Sequence, residues 1–190
     1  MLSLDALDSR RSVPTLQLAA PGPDAATLHR MLATAVRVPD HGKRVPFRFL
    51  AIAGDARTAL ADAAHARLLE RDPAAGDGVI AKLRNRFTSP PVTIAVIAAL
   101  GFDEKIPVSE RASTASCVCL LLLQAAHAEG FGAQWLTGWL AYDRGFLESV
   151  LGLEEHERLT GTIAIGTRQI DVPERDRPDV SNLLADWQPA

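Results

Sequence analysis

Cysteine is almost missing from this sequence, with two in 190 residues, Cys117 and Cys119. Side chains two apart on a helix point in different directions, so these two cannot join each other, and a pair of thiols alone makes no metal site. Both read as inert core thiols. An excess of positive charge is missing too. The net charge of −3 gives no global attraction to nucleic acid or anionic lipid. No apolar helix reaches the ~20 residues that span a bilayer. The longest candidate, Ser113 to Ala128, is also interrupted by Ser113, Thr114, Ser116, Gln124 and His127. The opening MLSLDALDSRRS has no apolar stretch before a cleavage site, so no signal peptide is expected. The sequence holds no Gly-x-Ser-x-Gly elbow, no P-loop, no His-Glu-x-x-His and no Gly-x-Gly-x-x-Gly turn after a strand. Its five histidines, at 29, 41, 65, 127 and 156, are too scattered to suggest zinc. The expectation is a cytoplasmic chain with one domain, 1–190, and with no membrane, nucleic-acid or metal partner.

What is present is apolar and regular. Hydrophobic residues make up 47% of the chain, enough for a sizeable core, while aromatics are only 5%. Leu2, Leu4 and Leu7 predict a short helix from Leu2 to Arg10. A proline-bearing loop covers 13–23. Asp24 then caps a helix with Leu28, Met31, Leu32, Ala35 and Val36 on one face, which stops before Pro39. Phe47 to Ala53 is a strand, Ala56 to Arg71 a helix with Leu60, Ala64 and Leu68 inside, and Val79 to Phe87 another with a basic face at Lys82, Arg84 and Arg86. Val92 to Ala98 is the strongest strand signal, an apolar, β-branched run typical of a central strand. After it comes the Ser113–Ala128 helix, apolar almost all round, as a helix buried in a core or an interface is. Gly130 and Gly132 end it before a short strand, Ala133 to Leu136. Asp143 caps a helix with Phe146, Val150 and Leu151 inside, and Leu159 to Gly166 is the fourth strand. The order predicts a layered α/β or α+β domain.

Three groups of cations lie in turns. Arg10-Arg11-Ser12 closes the first helix, where two guanidinium forks and a hydroxyl suit a phosphate. The plainer reading is that they answer the helix dipole. Arg37, His41, Lys43 and Arg44 form a second group, and Arg168, Arg175 and Arg177 a third. Trp135-Leu136-Thr137-Gly138 ends a strand, where α/β proteins place ligands. Taken singly, each is also an ordinary solvated loop or strand end.

In order, these pieces resemble the FMN-dependent nitroreductase family in its compact single-domain form. The resemblance is carried by Arg10-Arg11-Ser12, by Ala35 to Lys43 with Pro46-Phe47-Arg48-Phe49, by Gly130 to Gly138, by Ile165-Gly166-Thr167, and by Arg175-Asp176-Arg177-Pro178 with Leu184 and Trp187. It implies an α+β fold: a small, mostly antiparallel central sheet flanked by helices, in an intertwined homodimer with FMN at the subunit interface. It further implies that Arg10, Arg11 and Ser12 hold FMN from one subunit, with Arg175 and Arg177 as further phosphate ligands. Arg37 and His41 would reach the same flavin from the other subunit. Trp135, Leu136 and Thr137 would lie along the ring, with the Thr137 N–H near N5, and Gln124 to Gly130 would contact the nicotinamide donor. The implied function is hydride transfer from NAD(P)H through FMN to an electron-poor acceptor such as a nitroaromatic or quinone. No protein residue need be catalytic, since the flavin carries the chemistry.

One departure stands out. Many proteins of this kind have a basic residue two positions after the serine, and here it is Pro14. Either another cation serves, Arg37 or Lys43, or the flavin potential differs. The departure keeps open a flavin-binding protein without turnover, a sensor or carrier. A specialised flavoenzyme on the same fold, such as a dehalogenase or ene-reductase, is a further alternative, because the pocket and not the fold sets the function.

Overall fold

The structure is a computed structural model, described here over residues 3–189. Its centre is a sheet ordered β1-β5-β3-β2, with β4 also paired to β5. These strands are β1 (Leu18–Ala19), β2 (Phe47–Ala53), β3 (Val92–Ala99), β4 (Gly132–Leu136) and β5 (Glu157–Arg168). Every ladder between them is antiparallel. Six helices surround the sheet: α1 (Leu4–Asp8), α2 (Ala25–Ala35), α3 (Ala56–Arg71), α4 (Asp77–Thr88), α5 (Val108–Ala128) and α6 (Arg144–Ser149). The arrangement is the expected α+β one.

Strand periodicity divides the core into two layers. Successive side chains on β3 point to opposite faces. Val92, Ile94 and Val96 pack with Met31 and Ala35 of α2 and with Val118, Leu122 and Ala126 of α5. Ala95 and Ile97 pack on the other face with Leu60, Ala64, Leu83 and Phe87 of α3 and α4. β3 is buried on both faces, which is why its sequence is apolar apart from the buried Thr93 and shows no polar alternation.

Helix ends follow the expected capping chemistry. Asp24 accepts from the Thr27 N–H at 2.7 Å, and Asp143 accepts from the Phe146 N–H at 2.8 Å. Asp143 also holds Arg67 at 2.8 Å and Arg71 at 3.0 Å. At the edge of the same layer, Arg48 grips Glu157 with both fork nitrogens at 2.6 Å. Burial pushes the Asp143 carboxyl up, but Arg67, the Phe146 N–H and Arg71 outweigh it and hold it at about 2. The Arg48 hydrogen bonds are the main cause that holds Glu157 at about 2. Both folded-state values lie below the ordinary carboxylate range, so both groups stabilise the fold above that range. That stability is lost as pH falls from about 4.5 through about 2. Acid titration of the melting temperature should therefore fall steeply in this window, and Glu157→Gln should flatten part of the slope. An unchanged slope would mean that the Arg48 pair does not persist in solution.

Several expectations need correction. Among the described residues there are five strands where about four were expected: β1 lies within the proline-bearing loop and pairs Leu18 with Arg168 and Ala19 with Thr167. β5 is longer than Leu159–Gly166 because its ends pair with β1 and with Ala98 and Ala99. α1 stops at Asp8, before Arg10, and the predicted start at Leu2 lies outside the described residues. Val150, expected inside, is exposed, since α6 ends at Ser149. α5 begins at Val108, and within a single chain it is not buried all round. Val108, Ser109, Ser113, Cys117 and Leu120 run exposed down one side. Cys119 is a core thiol, pushed up to about 12 by burial, but Cys117 is exposed.

Candidate functional site

The site starts where α1 ends. Ser9 closes α1, and the chain leaves it extended through Arg10, Arg11 and Ser12. Ser12 then forms a parallel bridge to Ala133, and the Val13 N–H donates to the Ala133 carbonyl at 3.0 Å. This contact fixes the arginine segment against β4, whose C-terminal end is Trp135-Leu136 and the following Thr137.

The tail returns to the same place. Arg10, Arg11 and Ser12 line one small pocket of about 40 Å³ together with Val172, Pro173, Arg175 and Arg177. Four guanidinium-bearing residues meet there across some 160 positions of sequence. Glu174 is the one carboxylate pairing with them among the described residues, bridging Arg11 and Arg177. Positive charge is therefore in surplus. Burial lowers the Arg10 pKa first, and the charges of Arg177 and Arg11 lower it further. Planar donors, a hydroxyl and an uncompensated charge in a space too small for a ring system suit a compact anion such as a phosphate. The helix-end reading also has support at one residue, because Arg11 donates to the Asp8 carbonyl at the end of α1.

His127 borders this cluster from the end of α5, its Nε2 3.0 Å from Ser9 Oγ. Burial and then Arg10, Arg168 and Arg11 lower its pKa, which favours the neutral ring. Gln124 and Leu120, earlier on α5, line a broader groove of about 470 Å³ with Arg10 and Arg177. The start of the segment expected to meet the nicotinamide donor, Gln124 to Gly130, thus borders the arginine pocket.

Arg37 and His41 are not brought to this cluster within one chain. Both are exposed, and His41 Nδ1 sits 2.6 Å from Glu110 in the first turn of α5. Glu110 lies 14 residues before Gln124, about 20 Å along the helix at 1.5 Å per residue. Lys43 is exposed in the same loop, where it and Val45 both have positive φ, 51° and 48°. Asp40 holds that strained backbone by accepting from the Arg44 N–H at 3.1 Å and the Val45 N–H at 2.7 Å.

Behind the 135–138 turn stands a residue the sequence reading misplaced. Arg86, expected on a basic face of α4 with Lys82 and Arg84, turns inward. It donates from Nη1 to the Thr137 carbonyl at 2.5 Å and from Nη2 to Thr162 Oγ1 at 3.0 Å. Burial lowers its pKa to about 10, which still leaves it charged at pH 7. The signal was available in the spacing: Arg86 follows the buried Leu83 by three, so the two share a helix face.

Comparison with known proteins bears on the fold and the family. Residues 7–167 match the family described as the nitroreductase family. The chain is 32% identical over 172 residues, 90% of each chain, to an Escherichia coli (strain K12) protein named "Putative NAD(P)H nitroreductase YdjA". Among solved structures, a nitroreductase-like family protein from Bacillus cereus superposes with a TM-score of 0.83 at 23% identity, over 97% of both chains. A variant of NfnB, an FMN- and NADPH-dependent nitroreductase from a Sphigopyxis strain, superposes with a TM-score of 0.78 at 20% identity, over 98% of this chain and 99% of that one.

Proposed function

The chain belongs to the nitroreductase family, and from that premise we propose that it is a single-domain FMN-dependent oxidoreductase that passes a hydride from NAD(P)H through bound FMN to an electron-poor small molecule, such as a nitroaromatic or quinone. One observation carries the reading: four arginines and Ser12 converge on one pocket, and the Ser12–Ala133 bridge ties that pocket to the Trp135–Thr137 turn. The pocket suits the phosphate and the turn suits the ring.

In this reading Arg10, Arg11 and Ser12 take the phosphate, with Arg175 and Arg177 closing over it from the tail. Trp135, Leu136 and Thr137 would line the ring, with the Thr137 N–H as a donor toward it. When bound, FMN supplies the hydride chemistry, while the chain supplies position and charge. Arg37 and His41 serve the flavin held by a second copy of the chain. Their separation from Arg10 along α5 supports that assignment, and so does the exposed α5 stripe through Ser113, Cys117 and Leu120, where a twin helix can pack.

Purified protein is expected to be yellow, to release FMN on denaturation and to bleach with NADH or NADPH. A colourless protein that ignores added FMN would sink the reading. Continuous NAD(P)H oxidation in the presence of a quinone or nitroaromatic separates an enzyme from a flavin carrier. Sedimentation should give a dimer, and a clean monomer with full FMN content would contradict the shared site.

A further inference from the structure

Arg86 is an unusual cation. No carboxylate pairs with it among the described residues, and its Nε is a buried donor without a hydrogen-bond partner. Such a charge is costly to bury, and a methionine of similar length would avoid the cost. Apart from its stacking over the Phe87 ring at 5.4 Å, its hydrogen bonds all concern one turn. Nη1 binds the carbonyl of the Thr137–Gly138 peptide. Nη2 binds Thr162 Oγ1, whose own proton goes to the Leu136 carbonyl at 3.4 Å. That second carbonyl belongs to the Leu136–Thr137 peptide, which carries the Thr137 N–H. One guanidinium thus reaches both peptide planes of the turn, one directly and one through a buried hydroxyl. Gly138 closes the turn at φ +77°, and a Cβ there would meet Arg86 Nη1 at 3.2 Å.

We infer that Arg86 and Thr162 are positioning residues, which fix the two peptide planes of the 136–138 turn and set an uncompensated positive charge behind it. The inference rests on the reading of that turn as the flavin's neighbour. Its consequences are electrostatic and geometric. Hydrogen bonds in a chain polarise one another, so the Arg86–Thr162–Leu136 relay makes the Thr137 N–H a stronger and better aimed donor. The unpaired charge favours the negative charge that reduction adds to the flavin. Arg37 and Lys43, the replacements expected for the cation missing at Pro14, are both exposed. Arg86 is the one the fold buries beside the turn.

The test compares FMN-loaded wild type, Arg86→Met, Arg86→Lys and Thr162→Val by the midpoint potential of bound FMN and by the rate of its reduction with NAD(P)H. Arg86→Met should lower the equilibrium constant for reduction about tenfold, the size expected for a unit charge about 10 Å away at an effective dielectric of about 20. For a two-electron couple that is a drop of about 30 mV. Arg86→Lys keeps the charge and should restore most of the potential, but it lacks the fork and should not restore the rate. Thr162→Val keeps the shape and loses the hydroxyl. It should slow flavin reduction without moving KM for the donor and leave the potential near that of wild type. A wild-type potential in Arg86→Met would overturn the inference. So would a wild-type rate in Thr162→Val, which carries the test alone if Arg86→Met does not fold. A wild-type chain that takes up no FMN would bring down the functional reading itself.

Discussion

Arg10→Ala should weaken FMN binding by about 10- to 100-fold, or about 1.5–3 kcal/mol, while leaving the FMN-free protein no less stable than wild type. The first half follows from the loss of a charge-assisted hydrogen bond to a phosphate. The second follows from the company Arg10 keeps. It is partly buried, its neighbours Arg11 and Arg177 carry the same charge, and its hydrogen bond to Ser12 Oγ is long at 3.5 Å. Without an anion, Arg10 is therefore a liability to the fold, and alanine removes it. Opposite signs for binding and stability distinguish a ligand site from a structural arginine, whose removal costs stability alone. Titration of FMN-free protein with FMN and with riboflavin, which lacks the phosphate, sharpens the test. Arg10→Ala should reduce affinity for FMN and leave that for riboflavin nearly unchanged, and rising salt should narrow the difference. Equal losses for both ligands would remove Arg10 from the phosphate. Unchanged FMN affinity would leave it only the end of α1 to answer.

The fold was more legible than the site. Long elements with one dominant period could be read directly: the stripe from Leu28 to Ala35 behind Asp24, the α3 face through Leu60, Ala64 and Leu68, and the apolar run of β3. β1 could not be read this way. Two residues carry no period, and Leu18 and Ala19 are strand only because Arg168 and Thr167 lie alongside. The site failed to announce itself for a related reason. Arg10 and Arg11 look like helix-end cations until the tail returns with Arg175 and Arg177, and no local pattern encodes that return. The resemblance to the family supplied it instead. Arg86 shows the opposite failure. Its spacing from Leu83 pointed inward, but its charge argued for solvent, and the hydrogen-bonding demand of two turn carbonyls outweighed the charge.

Gly161→Ala should be the more disruptive of the two substitutions, costing about 2–4 kcal/mol of stability and weakening FMN binding together. Glycine inside a central strand loses packing and entropy unless another group needs the space. Here the indole of Trp135 takes it: a Cβ on Gly161 would lie 2.0 Å from Trp135 Nε1, 2.5 Å from its Cδ1 and 3.1 Å from the Leu136 carbonyl oxygen. The ladder prepares this contact. Val96 pairs with Gly161 but Ile97 pairs with Leu159, so Thr160 is an extra residue in β5. Its carbonyl accepts from Trp135 Nε1 at 3.2 Å. A methyl group at 161 must push the indole off this carbonyl and press on Leu136, whose own carbonyl receives the Thr162 hydroxyl. Overpacking costs about 1–3 kcal/mol and the lost hydrogen bond about 1 more. The strand end that moves is the one proposed to face the flavin, so affinity should fall with stability. Gly78→Ala is the control, since nothing lies within 4 Å of a Cβ there and the position is inside α4. It should be neutral or stabilising by up to about 1 kcal/mol. Urea unfolding reads both, through the midpoint at unchanged slope. Wild-type stability and FMN affinity in Gly161→Ala would mean that Trp135 is not fixed over the glycine, and the rigid turn on which the flavin reading depends would lose its anchor in the sheet.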